Sequence, residues 1–522
     1  MPETALSLPA GPEPAPVRWA KVIDQTRCIG CHACSTACKS ENYVPVGVHR
    51  TYVKSVDVGV FPRARRAFQV TRCNQCAHAP CVEACPTSAM YVRPDGIVDF
   101  DKRICIGCKA CIAACPYDAV FINPDDGAAE KCNFCAHRID MGLEPACVVV
   151  CPTEAILVGD LNDPLSRVAG VVGRDPVAVR RPEKDTLPKL FYKGAHQATL
   201  DPLAARRPDG GLFAWSEQGG GDGEIMSGSP RGYGSSSAAA LLSYDVAHSV
   251  PWGWRVSLYT WTKGVACGAY LVPLLLVLFG RLSPSSVLWR LAAPIVGGAF
   301  LALTGLLLVL DLKRPSLFYL IFTRPQWRSW LVKGAFILAA YSLVLLAHFL
   351  LALAGSRVIG PLAVAGLPLG VLSAVYTAFL LAQAKARDLW QSPLLPPHFL
   401  VQALLVGSAS LALVAAVVEP DSVGVLLRLV AVTSLLHILL VLGDVGLPHA
   451  TAHARLARWE MTHGTHRAPF LAGIGLVFAG LFAPLLANAG HDLGLLAALL
   501  ALLGVLAHEH AHVQAGQSVP LA

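Results

Sequence analysis

Two hydropathy regimes divide the chain. Up to about residue 203 the apolar positions come in short runs, as in VIDQTR and IVDFDKR, which predict small strands beside loops. From about Arg255 the apolar runs become long and their interruptions short. A bilayer is crossed by about 20 apolar residues in a helix. Eight stretches fit, at 255–280, 289–311, 329–353, 360–384, 397–418, 424–444, 469–488 and 492–510. Only Ala489-Gly490-His491 separates the last two, and the third is long enough to tilt. Between the regimes, RRPDGGLFAWSEQGGGDGEIMSGSPRGYGSSS is rich in Gly and Ser and reads as a flexible connector.

Charge orients the spans. Eight spans put both of their ends on one side. The connector side then holds Lys313, Arg314, Arg324, Arg328, Lys385, Arg387, Arg455, Arg458 and Arg467, against Arg281, Arg290 and Arg357 opposite. Nine against three predicts a cytoplasmic connector and polar half, in a multi-pass inner-membrane protein. The first 27 residues show no continuous apolar core and no twin arginine, which agrees. A formal charge of +7 over 522 residues, without a long basic run, argues against nucleic acid as a partner. Inside the spans lie Lys263, Lys333, His348, Arg428 and His437, costly in lipid unless each has a partner or a cavity.

Composition adds the chemistry. Sixteen of the 17 cysteines fall between Cys28 and Cys151. They form four quartets, each a C-x2-C, a variable gap and a C-x3-C: Cys28, Cys31, Cys34, Cys38; Cys73, Cys76, Cys81, Cys85; Cys105, Cys108, Cys111, Cys115; and Cys132, Cys135, Cys147, Cys151. Pro86, Pro116 and Pro152 follow the last three quartets, and Lys39 follows the first. Three thiolates on a tight loop cap one side of a 4Fe-4S cube, and the fourth reaches a neighbouring cube. The motifs therefore work in pairs, giving four clusters. Zinc sites also use C-x2-C pairs, but not triplets plus one. A cation precedes each motif, Arg27, Arg72, Arg103 and Lys131. Each either raises a cluster's potential or lies on a solvated face.

Two rival signals remain. His508, Glu509 and His512 spell H-E-x-x-H, the helix of zinc proteases, with no separate third ligand evident. His348 and His437 sit on different spans and are the obvious pair for a transmembrane b haem.

These motifs together resemble a known combination. The segment from about Ala20 to Pro202 is similar to the four-cluster ferredoxin-type subunit of molybdopterin oxidoreductases such as polysulfide and dimethyl sulfoxide reductases. The remainder resembles their NrfD/PsrC-type membrane anchor, through PWGWRVSLYTWTKGVACGAY, LDLKRPSLF, TRPQWRSW, YTAFLLAQAKARDLWQSPLLP and AGQSVPL. In those relatives the two parts are usually separate chains.

The resemblance implies an α+β ferredoxin-like iron-sulfur domain of two pseudo-symmetric dicluster modules, followed by an all-α bundle of eight transmembrane helices. The expected boundaries are a tail at 1–20, the iron-sulfur domain at 21–203, the linker at 204–247, the membrane domain at 248–514 and a tail at 515–522. The resemblance also implies pairing of the first motif with the fourth and the second with the third. Cys28, Cys31, Cys34 and Cys151 then hold one cluster, and Cys132, Cys135, Cys147 and Cys38 its neighbour. Cys73, Cys76, Cys81 and Cys115 hold the third, and Cys105, Cys108, Cys111 and Cys85 the fourth. It further implies menaquinone or ubiquinone near the cluster-side surface, with His248, Tyr376 and Asp311 as candidate contacts, and a molybdopterin catalytic subunit as partner. Lys263 departs from the small or apolar residue usual in that family's first span.

Overall fold

The computed structural model describes residues 16–59, 62–206, 240–356 and 358–522. Most of the expected tail and connector, and Arg357, lie outside the described residues.

In the cysteine half, the strand Trp19–Asp24 is the pivot of a four-stranded sheet. It pairs antiparallel with Ile156–Asp160 and parallel with Leu190–Lys193, whose other edge carries Val177–Ala178. Both faces of the pivot are covered. Ala20 and Val22 pack on Val168 of the helix Arg167–Arg174, and Ile23 packs with Cys34 and Cys147 on the other side. Two short hairpins, Met90–Val92 with Val98–Phe100 and Val120–Ile122 with Ala129–Lys131, flank the middle motifs.

Motif loops of like sequence take like shapes. CIGCHAC and CIGCKAC both place Gly at φ 69° and the residue after the second cysteine near φ 60° (His32 60°, Lys109 64°). That left-handed pair turns the thiols inward before a short helix begins.

A third sheet element was not legible in the sequence. Ala240–Tyr244, inside the expected linker, is a strand that pairs antiparallel with Thr51–Val58, which in turn pairs with Arg65–Arg72. The polypeptide therefore returns to the cysteine half before entering the membrane ten residues later at Trp254.

Among the described residues, seven helices are long and apolar enough to cross a bilayer: Trp254–Leu278, Leu288–Asp311, Trp330–Leu353, Ile359–Gln383, Leu395–Val418, Pro420–Gly446 and His491–Gln517. The expected seventh span is instead a bent pair, Arg467–Gly480 and Ala483–Ala489, at 55° to each other. Pro484 sits in the first turn of the second piece, where it lacks the N–H that would continue a straight helix. Counted as one span, the pair brings the total to eight. The first span is the hub, with 78% of its apolar window buried, against 22% for the third. It crosses Leu395–Val418 so closely that a Cβ on Gly268 would lie 1.8 Å from the Ala403 carbonyl oxygen.

Loops on one side of the bundle stitch the halves together. Lys313 and Arg314 donate backbone N–H groups to Gly107 and Ile106, and Gln326 donates to Pro86. Lys184 meets Asp388, which also accepts from Thr451 at 2.6 Å. The segment 511–522 is buried between the halves, where Lys54 donates to the Ala522 oxygen and Arg180 to that of Leu521. The loops after the second, fourth and sixth spans thus share a side with the cysteines.

Candidate electron-transfer site

No two of the sixteen thiols are joined in a disulfide, and the fold gathers them by fours. Cys28 lies near Cys31 and Cys151, and Cys34 near Cys28. Cys38 lies near Cys132, Cys135 and Cys147 instead of its own motif, and Asn42 reaches both Cys38 and Cys135 at 3.7 Å. Cys76 and Cys81 lie near Cys73 and Cys115. Cys108 and Cys111 lie near Cys105 and Cys85.

The groups also form a line. Cys34 neighbours Cys147, Lys131 stands between Cys132 and the Cys73/Cys81 group, and Cys81 neighbours Cys111. One end is open, since Cys31 is exposed. The other end meets the membrane half.

These residues fit an anionic cluster. Backbone N–H groups of Met90, Ala129 and Ala155 point at the sulfurs of Cys85, Cys105 and Cys151 at 3.2–3.4 Å. Buried Arg72 donates to Cys147 Sγ at 3.0 Å, while its Nε and other terminal nitrogen find no hydrogen-bond partner. A buried guanidinium among thiols without a carboxylate calls for an anion. Burial pushes the Cys38 and Cys76 thiols up to about 12. Thiols sealed in this way become thiolates by binding metal, not by titrating in water.

The four motif-preceding cations divide. Arg72 and Lys131 are buried against the thiols, whereas Arg103 pairs with Asp101 on the surface and Arg27 reaches Glu154 at 3.9 Å.

At the membrane end lies a cavity of about 630 Å³. Its wall is mainly apolar but includes Cys108, Trp252, Tyr259, Asp311 and Tyr376. Ile295 and Leu346, also on the wall, face outward from the bundle, so the cavity opens toward lipid. Lys109, between two cysteines of the third motif, forms a 3.0 Å ion pair with Asp311. Trp252 donates its indole N–H to the Cys108 carbonyl at 3.3 Å and stacks on Trp390 at 5.5 Å.

Lys263 now has a place. Its Nζ donates to Ala374 O and Thr377 Oγ1 at 2.8 and 2.6 Å and lies 4.9 Å from the centre of the Tyr376 ring. Its charge is spread over carbonyl, hydroxyl and ring inside the bundle.

Tyr376 and Asp311 thus face one cavity, but His248 is not on its wall. Its ring is held by Asp118 at 2.5 Å and Asp245 at 3.1 Å. Burial alone would lower its pKa, but the two carboxylates raise it to about 10, so it is charged at neutral pH. Asp118 is 130 residues away in sequence, and nothing local to His248 announces it.

The rival motifs are not assembled as their chemistries need. His348 packs on Tyr270 and Trp289, whereas His437 meets His398 and His508. In H-E-x-x-H, Glu509 turns away to Thr260 on the first span, so the motif's own glutamate does not stand beside a site shared by His508 and His512.

Comparison with known proteins bears on both halves. A family model described as "Polysulphide reductase, NrfD" matches residues 243–520, and one described as "4Fe-4S dicluster domain" matches 65–161. A tetrathionate reductase subunit of Salmonella typhimurium is 43% identical over 197 residues, 36% of this chain and 77% of that protein. A polysulfide reductase component of Wolinella succinogenes is 44% identical over 177 residues, 33% of this chain and 93% of that protein. The arsenate respiratory reductase iron-sulfur subunit ArrB of a Shewanella species is 34% identical over 224 residues, 34% of this chain and 96% of that protein.

Proposed function

The protein belongs to the NrfD polysulphide reductase family, carries a 4Fe-4S dicluster domain in front of that module, and from this premise we propose that it passes electrons through four clusters between a separate molybdopterin subunit and a quinone in the bilayer. It is a multi-pass membrane protein and a redox subunit with iron-sulfur clusters. The finer reading rests chiefly on one observation: Cys108 and Tyr376 share the wall of a single lipid-facing cavity. The four fours of cysteine, as grouped above, are the proposed cluster ligands. The exposed Cys31 end is where a catalytic partner would deliver or collect electrons. The relatives named above are parts of tetrathionate, polysulfide and arsenate reductases, which supports a role as the redox subunit of a complex without naming its substrate.

Iron-sulfur clusters supply one-electron transfer, and a quinone exchanges two electrons together with two protons. The chain's own residues provide the rest. The Tyr376 hydroxyl, backed by Lys263, can donate a hydrogen bond to a quinone oxygen. Asp311, ion-paired to Lys109, can exchange a proton beside the last cysteine group. The apolar wall from the second and third spans receives the ring and excludes water. His248 serves the junction of the halves.

Tyr376→Phe and Asp311→Asn test this. Turnover of a quinone analogue should fall at least about tenfold, the low range for a lost proton-transfer group. Reduction of the clusters by a soluble donor should be unchanged. Full quinone turnover in both variants would place the site elsewhere and sink the assignment.

Sidedness is part of the proposal, with the iron-sulfur half in the cytoplasm. Reporter fusions after Ala522 and in the 354–358 loop should give opposite signals, the first cytoplasmic. A periplasmic signal after Ala522 overturns the orientation.

A further inference from the structure

Three spans each send one histidine to the same point inside the bundle. His398 is the fourth residue of Leu395–Val418, His437 lies nine residues before the end of Val423–Gly446, and His508 nine before the end of His491–Gln517. At 1.5 Å per residue, the last two lie roughly 14 Å in from the helix ends nearest the cysteine half. All three rings are buried, and one ligand nitrogen from each lies within 4.8 Å of the other two.

We propose that His398, His437 and His508 form an intramembrane site for one zinc or copper ion, distinct from the iron-sulfur clusters and from the proposed quinone cavity.

Polar rings inside a lipid-facing bundle are costly, and a single stray histidine is more often satisfied by one hydrogen bond. Here three independent helices converge, and their hydrogen bonds do not use up the rings. His398 Nε2 and His437 Nδ1 are 2.9 Å apart, and His508 Nδ1 reaches Gln402 only at 3.5 Å. His437 Nε2 is buried and has no hydrogen-bond partner. Nitrogens bound to one zinc at about 2.0–2.1 Å stand about 3.4 Å apart, so small ring rotations bring this trio into range. Imidazole suits zinc and copper, and a ligand group that among the described residues consists of three histidines argues against an iron-sulfur or calcium-type site.

Charge narrows the choice. Three neutral imidazoles leave the ion's whole charge in a low-dielectric bundle, which favours monovalent copper over zinc unless an anion joins. The ion would pin three spans to one another. Metal binding only to the folded bundle would also raise its thermal stability, with the logarithm of the free ion concentration once that exceeds the dissociation constant.

The test is metal analysis of untagged, EDTA-washed holoprotein from cells supplied with zinc and copper. About one equivalent of zinc or copper per chain should accompany the cluster iron. His437→Ala and His398→Gln should each lower it at least fivefold while iron and sulfide stay constant. His348→Gln, in a different corner, should leave it unchanged. The metal's X-ray absorption edge should report a nitrogen shell with imidazole scattering, a readout that holds even where a variant fails to assemble. Less than about a fifth of an equivalent in wild type, also after incubation with either ion, overturns the site and leaves a hydrogen-bonded histidine cluster. So does a shell of sulfur or oxygen, or full retention in His437→Ala.

Discussion

Replacing Cys38 with serine is expected to cost the protein the cluster of its fourth motif and to spare that of its first. Cys38 lies among Cys132, Cys135 and Cys147, all three more than 90 residues away, and shares Asn42 with Cys135. With four irons per cube, iron should fall from about sixteen to about twelve per chain, and acid-labile sulfide should fall in step. The low-temperature paramagnetic signal that disappears should be the one that disappears in Cys135→Ser, and differ from the one lost in Cys31→Ser. Matching losses in Cys38→Ser and Cys31→Ser would mean that each motif closes on its own cube, and the crossed assignment would fall. Arg72 adds a second expectation of the same origin. Its buried guanidinium is held by Cys147, so an empty neighbouring site leaves a buried cation uncompensated and the half should lose stability as well as iron.

Gly268→Leu is expected to stop the membrane half from assembling. A Cβ there would meet the Ala403 oxygen at 1.8 Å and the Gly407 Cα at 2.8 Å, and a Cβ on Gly407 would meet the Gly268 carbonyl carbon at 2.2 Å. Overpacking costs about 1–3 kcal/mol where side chains can yield. Here the obstacle is backbone on the most buried span, so the two helices must part and the loss exceeds that range. Close glycine contact is also what holds helices together where lipid removes the hydrophobic drive. Gly475→Leu is the contrast, since its Cβ meets nothing within 4 Å. Size-exclusion profiles and melting temperatures in detergent should separate the two variants widely. Indistinguishable, monodisperse Gly268→Leu and Gly475→Leu proteins would refute the tight crossing.

Legibility followed the range of the forces involved. Cluster loops were readable because three thiols and their turn fit within seven residues, and CIGCHAC and CIGCKAC carry their own left-handed positions. Span limits were readable because lipid demands a fixed apolar length. The seventh span broke where Pro484 removes one hydrogen bond, a local cue masked by continuous hydropathy. The strand Ala240–Tyr244 was missed because its partner is nearly 190 residues back, and five residues beside a Ser-rich tract carry little pattern.

Charge counting had a second meaning that sequence could not show. Arg314 donates to the carbonyls of Lys102 and Cys105, so at least one of the nine basic loop residues fastens the halves as well as marking a side. His248 shows the same limit in reverse. It lies next to the first span in sequence, but Asp118 and Asp245 claim its ring, while Asp311 and Tyr376, far apart in sequence, meet at the cavity.

The edge strand Ala240–Tyr244 also orders events during synthesis. Thr51–Val58 and Arg65–Arg72 leave the ribosome long before the strand that covers their open side, and an uncovered edge invites pairing with a wrong partner. The covering strand emerges only ten residues ahead of the first span. Closure of the sheet and capture by the insertion machinery therefore fall almost together. Iron delivered before that moment meets a half whose edge is still open. Iron delivered after it meets a half whose edge is covered while Cys31 at the far end is still exposed, so these five residues mark the moment at which that side of the half closes.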